Sequence, residues 1–413
     1  QGLFDKCFKV IDGPDAPDLA IRELDQKLII YISNSPNSNN YNESYAEIDP
    51  NIIQPLPGGN GQPSDSLYKF EGYQIFQLKS PQVSVESLYD ADQARLVAQF
   101  DVKNGVTRII NYNYNEALGA NVPQEMVDGG DNGIAHSFIL TQDAFAENNV
   151  TLVNHKQYYY MAVAYGYNNY LPYQPDNPPY GHLGQTLPYL SGRKNIKTYV
   201  GVPHKIVNGT KINGDYGDVP EITRLAGNGN GGNILEFTDA TVEEILSKSP
   251  AGPDNIFGDP DYPIAYNPTY KKNQGPIKVT VVDPLNVVSS KFHLWMDSLK
   301  IVKLKKVVGD PIIKGDTASK LVAKWHLKDL NTGDVYDADT SILFDNEQLF
   351  TDLGISVRIS QPYYPGHYNV GNNQDQSALF YILSDNNGYL SSSVEVEDST
   401  QLWLSGVPDF DVP

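Results

Sequence analysis

A run of tyrosines and small apolar residues near the middle of the chain limits the possible folds more than any other feature. The segment LVNHKQYYYMAVAYGYNNY (152–170) places five tyrosines within ten residues and carries almost no charge. Successive side chains of a β-strand point to opposite faces. The alternation gives two apolar faces, one with Tyr158, Tyr160, Ala162 and Ala164, the other with Tyr159, Met161, Val163 and Tyr165. A strand that is apolar on both faces is typical of a covered sheet centre, so we predict core here and not a binding surface.

The composition of the whole chain favours an all-β fold. Tyrosine (28), glycine (34) and proline (28) are abundant for 413 residues, and only 19% of the residues are charged. Aromatic residues favour strands, and glycine and proline favour turns. We therefore predict two consecutive β-sandwich domains, residues 1–205 with long loops and residues 206–413 with one short helix.

Local patterns place strands and turns within the first of these regions. LYKFEGYQIFQLK (67–79) alternates and is rich in aromatic residues, which predicts a strand. ARLVAQFDV (94–102) and VTRIINYNY (106–114) flank an Asn-Gly pair, which favours the tight turn of a β-hairpin. A segment rich in Asn, Ser, Pro and Gly (34–66) is predicted to be a long loop.

The second region contains one helix signal among short strand signals. TDATVEEILSKS (238–249) begins with a capping residue, Thr238 or Asp239, and ends before Pro250, which predicts a helix over 239–249. The predicted strands are 276–284, 289–297, 320–329, 334–342, 355–361, 378–385 and 399–406. Short strands separated by turn residues indicate a second sandwich, with the boundary between about 200 and 220.

The spacing before the tyrosine-rich strand indicates a specific corner. Leu152 precedes Tyr158 by six residues. In a sandwich, this spacing lets the tyrosine hydroxyl bond the backbone of the corner that leads into its strand. We therefore predict a hydrogen bond between Tyr158 and the backbone of residues 152–155.

Four segments together resemble a fibronectin type III domain. DAPDL (15–19), GYQIFQL (72–78), SFILTQDAF (137–145) and the segment 152–164 occur in the order of that family's first, C, E and F strands. The resemblance covers about residues 10–205. It implies a sandwich whose F strand carries the tyrosine corner.

A broader resemblance covers most of the chain. DKCFKVIDGPDAPDL (5–19), GRKNIKTYVGVPH (192–204) and GPIKVTVVDPLNV (275–287) are similar to segments of large secreted proteins of Bacteroidota that are exported by type IX secretion. This resemblance implies an extracellular or cell-surface location and no particular chemistry. The single cysteine, Cys7, either pairs outside the segment or is a small buried side chain.

The sequence contains no pattern that predicts catalysis. The seven histidines have no metal-ligand spacing, and no nucleophile motif is present, so we predict no enzyme, no catalytic residue and no metal site. Calcium stays an open alternative at DGGDNG (128–133) and YDADT (336–340), although plain turns are favoured there. The net charge of −20 argues against nucleic acid and anionic membranes as partners, and no apolar run is long enough to span a membrane.

One loop is the best candidate for recognition. The segment 168–190 carries Tyr170, Tyr173 and Tyr180 among several prolines, which hold exposed rings at a lower entropic cost. Two interpretations are open. The loop binds a sugar or a protein partner, or it packs on the second domain as a clamp, and we favour the clamp because the loop leads to the boundary.

These observations predict a non-enzymatic structural or adhesive segment of a larger bacterial surface or secreted protein. Its partners would be other domains of the same polypeptide or neighbouring subunits, and a glycan is a further candidate. Two alternatives are open: the accessory binding or spacer region of a secreted hydrolase, and a subunit of a self-assembling fibre or surface layer.

Overall fold

The structure is a computed structural model of the chain. It describes residues 11–52, 65–176, 178, 183–206, 212–225, 236–247, 265, 267–275, 277–297, 300–305, 317–339 and 347–359. These residues fall into two compact units that divide after residue 210. Strands in several sheets dominate both units, so the prediction of an all-β chain is confirmed.

The described part of the first unit contains eleven strands. They are β1 (Asp18–Leu24), β2 (Lys27–Ser33), β3 (Ala46–Ile48), β4 (Leu67–Leu78), β5 (Ala94–Asp101), β6 (Arg108–Asn115), β7 (Ala120–Asp128), β8 (Ser137–Leu140), β9 (Tyr158–Tyr167), β10 (Tyr189–Ser191) and β11 (Thr198–Gly201). Two turns of 3-10 helix, Tyr41–Glu43 and Val85–Ser87, lie in the connections.

Two sheets of the first unit share one apolar core. The smaller sheet has the order β1-β2-β8. The larger sheet has the order β10-β9-β4-β3, with β11 also pairing to β9 and β5 to β4. Leu28, Ile30 and Ile32 of the smaller sheet lie in one buried cluster with Tyr73 and Ile75 of the larger sheet. All strand pairs in these two sheets are antiparallel.

The tyrosine-rich strand is β9, and it lies near the centre of the larger sheet. On one face, Tyr158, Tyr160, Ala162 and Ala164 belong to the shared core. On the other face, Met161 and Val163 pack with Phe76, Leu78 and Leu88, while Tyr165 packs with Ile109, Val127 and Tyr189. Both faces of the strand are covered, so the prediction of core and not of a binding surface is confirmed for this segment.

Tyr158 is buried at the start of β9 and accepts a hydrogen bond from the backbone N–H of Val153 at 2.8 Å. This is the bond that the spacing from Leu152, itself fully buried, predicts. We expect Tyr158→Phe to lower the free energy of unfolding by about 1 kcal/mol, because it removes one partly buried hydrogen bond and little volume.

Urea unfolding of both proteins measures this loss. The matched control is Tyr159→Phe, since the Tyr159 hydroxyl bonds Gln157 at the exposed surface, and such changes usually stay within about 0.5 kcal/mol. Equal free energies of unfolding for the Tyr158 and Tyr159 variants would show that the corner hydrogen bond does not stabilise the fold.

The hairpin predicted around Asn104-Gly105 is wrong. Strand β5 pairs with β4, and β6 pairs with β7, so the two strands that flank this turn do not pair with each other. Gly105 has a φ of 88°, but Asn104 keeps a negative φ, so the turn lacks the two left-handed residues of a type I′ hairpin. The Asp131 carboxylate instead accepts from the N–H groups of Asn104 and Gly105.

The described part of the second unit contains ten strands and one helix. They are β12 (Ile222–Thr223), β13 (Thr269–Tyr270), β14 (Ile277–Val281), β15 (Phe292–Met296), β16 (Lys300–Lys305), β17 (Thr317–Val322), β18 (Trp325–Asp329), β19 (Val335–Asp337), β20 (Glu347–Phe350), β21 (Ile355–Ile359) and α1 (Asp239–Leu246). The Thr238 hydroxyl caps α1 by accepting from the Thr241 N–H, so the predicted helix start is confirmed, whereas the helix ends at Leu246 and not at the predicted residue 249. Among the described residues, no helix combines the length and apolar character that crossing a membrane requires.

Two three-stranded sheets of the second unit, β14-β21-β20 and β15-β18-β19, contribute to one buried cluster. Trp325 and Leu327 from one sheet pack with Ile355 and Val357 from the other. The predicted strand 320–329 divides at Ala323-Lys324 into β17, which pairs with β16, and β18, which pairs with β15. The strands predicted at 378–385 and 399–406, like Cys7, lie outside the described residues.

Candidate functional site

One face of the β6–β7 hairpin presents aromatic rings. Tyr112 pairs with Pro123, and Tyr114 pairs with Asn121, so these four side chains lie on the same face of the two-stranded ribbon. Tyrosine side chains usually have one side of the ring packed against neighbouring residues, but the Tyr114 side chain is 67% exposed. The hairpin therefore holds an apolar, ring-rich surface toward solvent.

The opposite face of the hairpin fixes it to the larger sheet of the first unit. Buried Asn111 accepts a hydrogen bond from the Tyr189 N–H at 2.9 Å and donates to the Tyr189 carbonyl at 3.3 Å. The Tyr112 N–H donates to the Thr186 carbonyl at 2.7 Å. Ile109 and Val127 pack on Tyr165 and Tyr189. The hairpin is thus held by both polar and apolar contacts.

The segment 168–190 folds back on itself at its base. The Gln174 N–H donates to the Leu183 carbonyl at 2.8 Å, and the Gln185 N–H donates to the Leu171 carbonyl at 2.7 Å. The buried Gln185 side chain donates to the Tyr68 hydroxyl at 3.1 Å. These bonds give the base of the loop a defined position in the first unit.

The loop and the hairpin together form what we call the tyrosine cleft. Tyr173 packs on Tyr112 with 4.4 Å between ring centroids and 34° between planes, and the Asn121 amide donates to the Tyr173 hydroxyl at 2.9 Å. The cleft has a volume of about 450 Å³. Its side chains are Tyr112, Tyr114, Asn121, Pro123, Tyr173 and Pro175, together with the small residues of the hairpin turn. None of the lining residues is charged.

The three tyrosines predicted to bind have different positions. Tyr173 is half-buried and lines the tyrosine cleft. Tyr170 is also half-buried but is not among the lining residues, and burial, with the charge of Asp49, raises its pKa. Tyr180 lies outside the described residues. Tyr173 makes its ring contact within the first unit, and the recognition role of all three residues stays a prediction.

Sequence reasoning missed the hairpin half of the cleft. The segment VTRIINYNY (106–114) predicts a strand that contains Tyr112 and Tyr114, and no sequence pattern assigns a role to Asn121 or Pro123. The alternating segment NYNYN (111–115) contains the signal, because its two tyrosines fall on one face of a strand. A strand in which asparagines alternate with exposed tyrosines is unusual enough to indicate a candidate binding surface.

Buried carboxyl groups lie elsewhere in the same unit. Glu71 has no partner on β9, because it is the extra residue of a β-bulge between Phe70 and Gly72. Glu71 is 2% exposed, and both its carboxyl oxygens accept from the Asn104 side chain, at 2.9 and 3.0 Å. Burial is the largest of the effects that raise the pKa of Glu71, to about 8, and the charges of Asp101 and Asp131 add to it.

Within the segment 128–133, Asp131 is held by hydrogen bonds to other protein groups. Asp131 accepts from two backbone N–H groups, and its own N–H donates to the buried Asp101 carboxylate at 2.9 Å. Within the part of the chain that the structure describes, no group of three or more His, Cys, Asp or Glu side chains is arranged to hold a metal ion. Calcium at this loop stays a hypothesis.

Asp337, from the predicted alternative calcium segment, belongs to a row of side chains on the β15-β18-β19 sheet. Asp337 contacts His326 Nδ1 at 2.7 Å, and Asp297 contacts His326 Nε2 at 3.1 Å. The His326 ring stacks on Trp295 with 5.1 Å between centroids. Hydrogen bonds to the two carboxylates raise the pKa of His326, so this row is an ion-pair arrangement of a half-buried histidine with two exposed carboxylates.

Comparisons with known proteins do not place the chain in a family. No protein-family model matches it, no curated protein matches it, and no solved structure matches it.

Proposed function

We propose that this chain is a non-enzymatic structural and adhesive segment of a larger extracellular protein, and that the tyrosine cleft is its adhesive surface. The observation that carries the proposal is the cleft itself: half-buried and exposed rings, held by hydrogen bonds on a rigid β-scaffold. Recognition residues are commonly found on loops positioned by such a scaffold. Tyrosine is well suited to the task because it offers apolar area with a polar tip.

We further propose that the first unit is a fibronectin type III-type sandwich. Its smaller sheet, β1-β2-β8, and its larger sheet, with β11-β9-β4-β5 as neighbouring strands, support this proposal. The segments that resemble strands C, E and F of the family contribute β4, β8 and β9. The buried hydroxyl of Tyr158, bonded to the Val153 N–H, is the corner expected of such a domain.

A bead-adhesion assay tests the adhesive role. Beads coated with the full chain should be retained on surfaces coated with extracellular polysaccharide or protein, and beads coated with Tyr114→Ala should be retained several-fold less. Retention that is equal for both proteins would reject the cleft as the adhesive surface.

Labelling of intact cells of the source organism, with an antibody raised against the chain, tests the location. Labelling of unbroken cells or of the culture medium is the expected result. Signal confined to broken cells would reject an extracellular role.

A further inference from the structure

We infer that the tyrosine cleft binds a chain of uncharged sugars. The inference rests on the proposed adhesive role of the cleft and specifies its ligand class. It follows from three properties of the cleft: the absence of charge in its lining, the arrangement of ring faces and polar edges, and the shortage of backbone partners for a peptide.

Charge selects against ionic ligands. The lining side chains are tyrosine, proline and asparagine, with small residues at the turn. Anionic sugars and phosphate esters are typically held by arginine or lysine, and cationic ligands by carboxylates. On this hairpin Arg108 and Glu125 form an ion pair with each other, and neither is part of the lining. The overall charge of −20 adds repulsion for acidic polysaccharides.

Ring faces and polar edges are arranged as a sugar requires. A pyranose ring has C–H faces and a rim of hydroxyl groups. The Tyr114 ring, which is 67% exposed beside the Tyr112–Tyr173 ring pair, can pack on such a C–H face. The Tyr173 hydroxyl accepts from Asn121 and so keeps its own proton to donate to a sugar hydroxyl.

A peptide is a poorer match for the same walls. A bound peptide strand gains affinity from main-chain hydrogen bonds to an exposed sheet edge. Pro123 and Pro175 have no N–H to donate, and the Tyr112 N–H is already bonded to the Thr186 carbonyl. The cleft therefore offers mainly side-chain rings and hydroxyl groups.

The cleft is arranged before any ligand binds. The Tyr112–Tyr173 ring pair and the bond from Asn121 fix two rings, and Asn111 fixes the hairpin from behind. Little side-chain entropy is lost when rings are already in place. A volume of about 450 Å³ lies within the range of small-ligand sites, so we expect the cleft to contact a few sugar units of a longer chain.

Binding to defined polymers tests the inference. The full chain is titrated calorimetrically with neutral glucan, mannan, xylan and galactan, with polygalacturonate and heparin as charged polymers, and with a proline-rich peptide. We expect binding to at least one neutral polymer, with affinity weakened about tenfold by Tyr114→Ala. Tyr173→Phe keeps the ring, loses the hydroxyl, and should weaken affinity less than Tyr114→Ala.

Leu118→Ala is the matched control, because Leu118 is 69% exposed in the turn of the same hairpin and is not among the lining residues. Its affinity should equal that of the unchanged chain. Thermal unfolding of every variant confirms that the hairpin remains folded.

The possible outcomes separate the ligand class from the adhesive role. Cleft-dependent binding of the peptide or of charged polymers alone would overturn the sugar inference and leave the adhesive role standing. Binding of neutral polymer that is unaffected by Tyr114→Ala and Tyr173→Phe would overturn the cleft as the site. A failure to bind any neutral polymer would also overturn the sugar inference. The bead-adhesion assay would then decide independently whether the cleft is adhesive.

Discussion

Replacing Glu71 by glutamine is expected to stabilise the chain strongly at alkaline pH and hardly at all at pH 4. Burial, with the nearby charges of Asp101 and Asp131, raises the pKa of Glu71 from 4.5 to about 8 in the folded chain. Because the folded pKa lies above the unfolded one, folding retains a proton that the unfolded chain releases. Stability therefore falls from about pH 4.5 to pH 8 and levels off above it, with a total loss on the order of 5 kcal/mol.

The Glu71→Gln variant should lose this pH dependence. The glutamine side chain has no charge to bury, and its carbonyl oxygen can still accept from the Asn104 amide. Urea unfolding of both proteins between pH 4 and pH 9.5 measures the difference in their free energies of unfolding. The other titrating groups are the same in both proteins, so their contribution cancels in this difference. Glu147→Gln, at an exposed position, is the control and should leave the profile unchanged.

A second substitution tests the cause of the pKa shift. Asp101→Asn removes one of the neighbouring carboxylates and should move the fall in stability to lower pH. A constant difference between the Glu71→Gln variant and the unchanged chain at all pH values would contradict a protonated Glu71 in the folded state.

Gly72→Ala is expected to lower the free energy of unfolding by about 3 kcal/mol or more, because the added methyl group has no space. Gly72 lies between Tyr165 of β9 and Asp101 of β5 in the register of the larger sheet. A Cβ atom there would overlap the backbone carbonyl of Phe100 and lie 2.5 Å from the Tyr165 hydroxyl. A backbone carbonyl cannot move without disturbing the pairing of β4 with β5.

Denaturant unfolding and expression yield measure this effect. Gly214→Ala is the control, since the nearest atom to its added Cβ would be a carboxylate oxygen of exposed Asp218 at 3.3 Å. That variant should differ from the unchanged chain by less than about 0.5 kcal/mol. Similar stabilities for the two glycine variants would mean that the sheet around Gly72 accommodates the methyl group.

The sequence alone determined the features that depend on local periodicity. The alternation of Tyr158 to Tyr165 predicted both buried faces of β9, because every second side chain of a strand shares a face whatever its partners are. Thr238 predicted the start of α1, since a helix cap is formed by residues three apart in the chain. The alternation of LYKFEGYQIFQLK (67–79) likewise predicted β4.

Only half of the candidate site could be predicted, because a sequence pattern reports local periodicity and not which elements lie side by side. Tyr173 was found because tyrosines among prolines mark a loop with presented rings. Tyr112 and Tyr114 were missed because a sequence pattern does not tell which strand lies beside β6. Their role depends on pairing with β7 and on the return of the loop over that ribbon.

Only the tertiary structure decided which strands pair around Asn104 and Gly105. The local signal favours a hairpin between β5 and β6. Asp131 caps the two backbone N–H groups of this turn, and Glu71 binds the Asn104 side chain, from positions 27 and 33 residues away in sequence. Such bonds between distant residues outweigh a turn preference, because an unsatisfied buried carboxyl group costs more than a turn propensity contributes. Because β5 pairs with β4, β6 pairs with β7 instead, and this second hairpin forms one side of the tyrosine cleft.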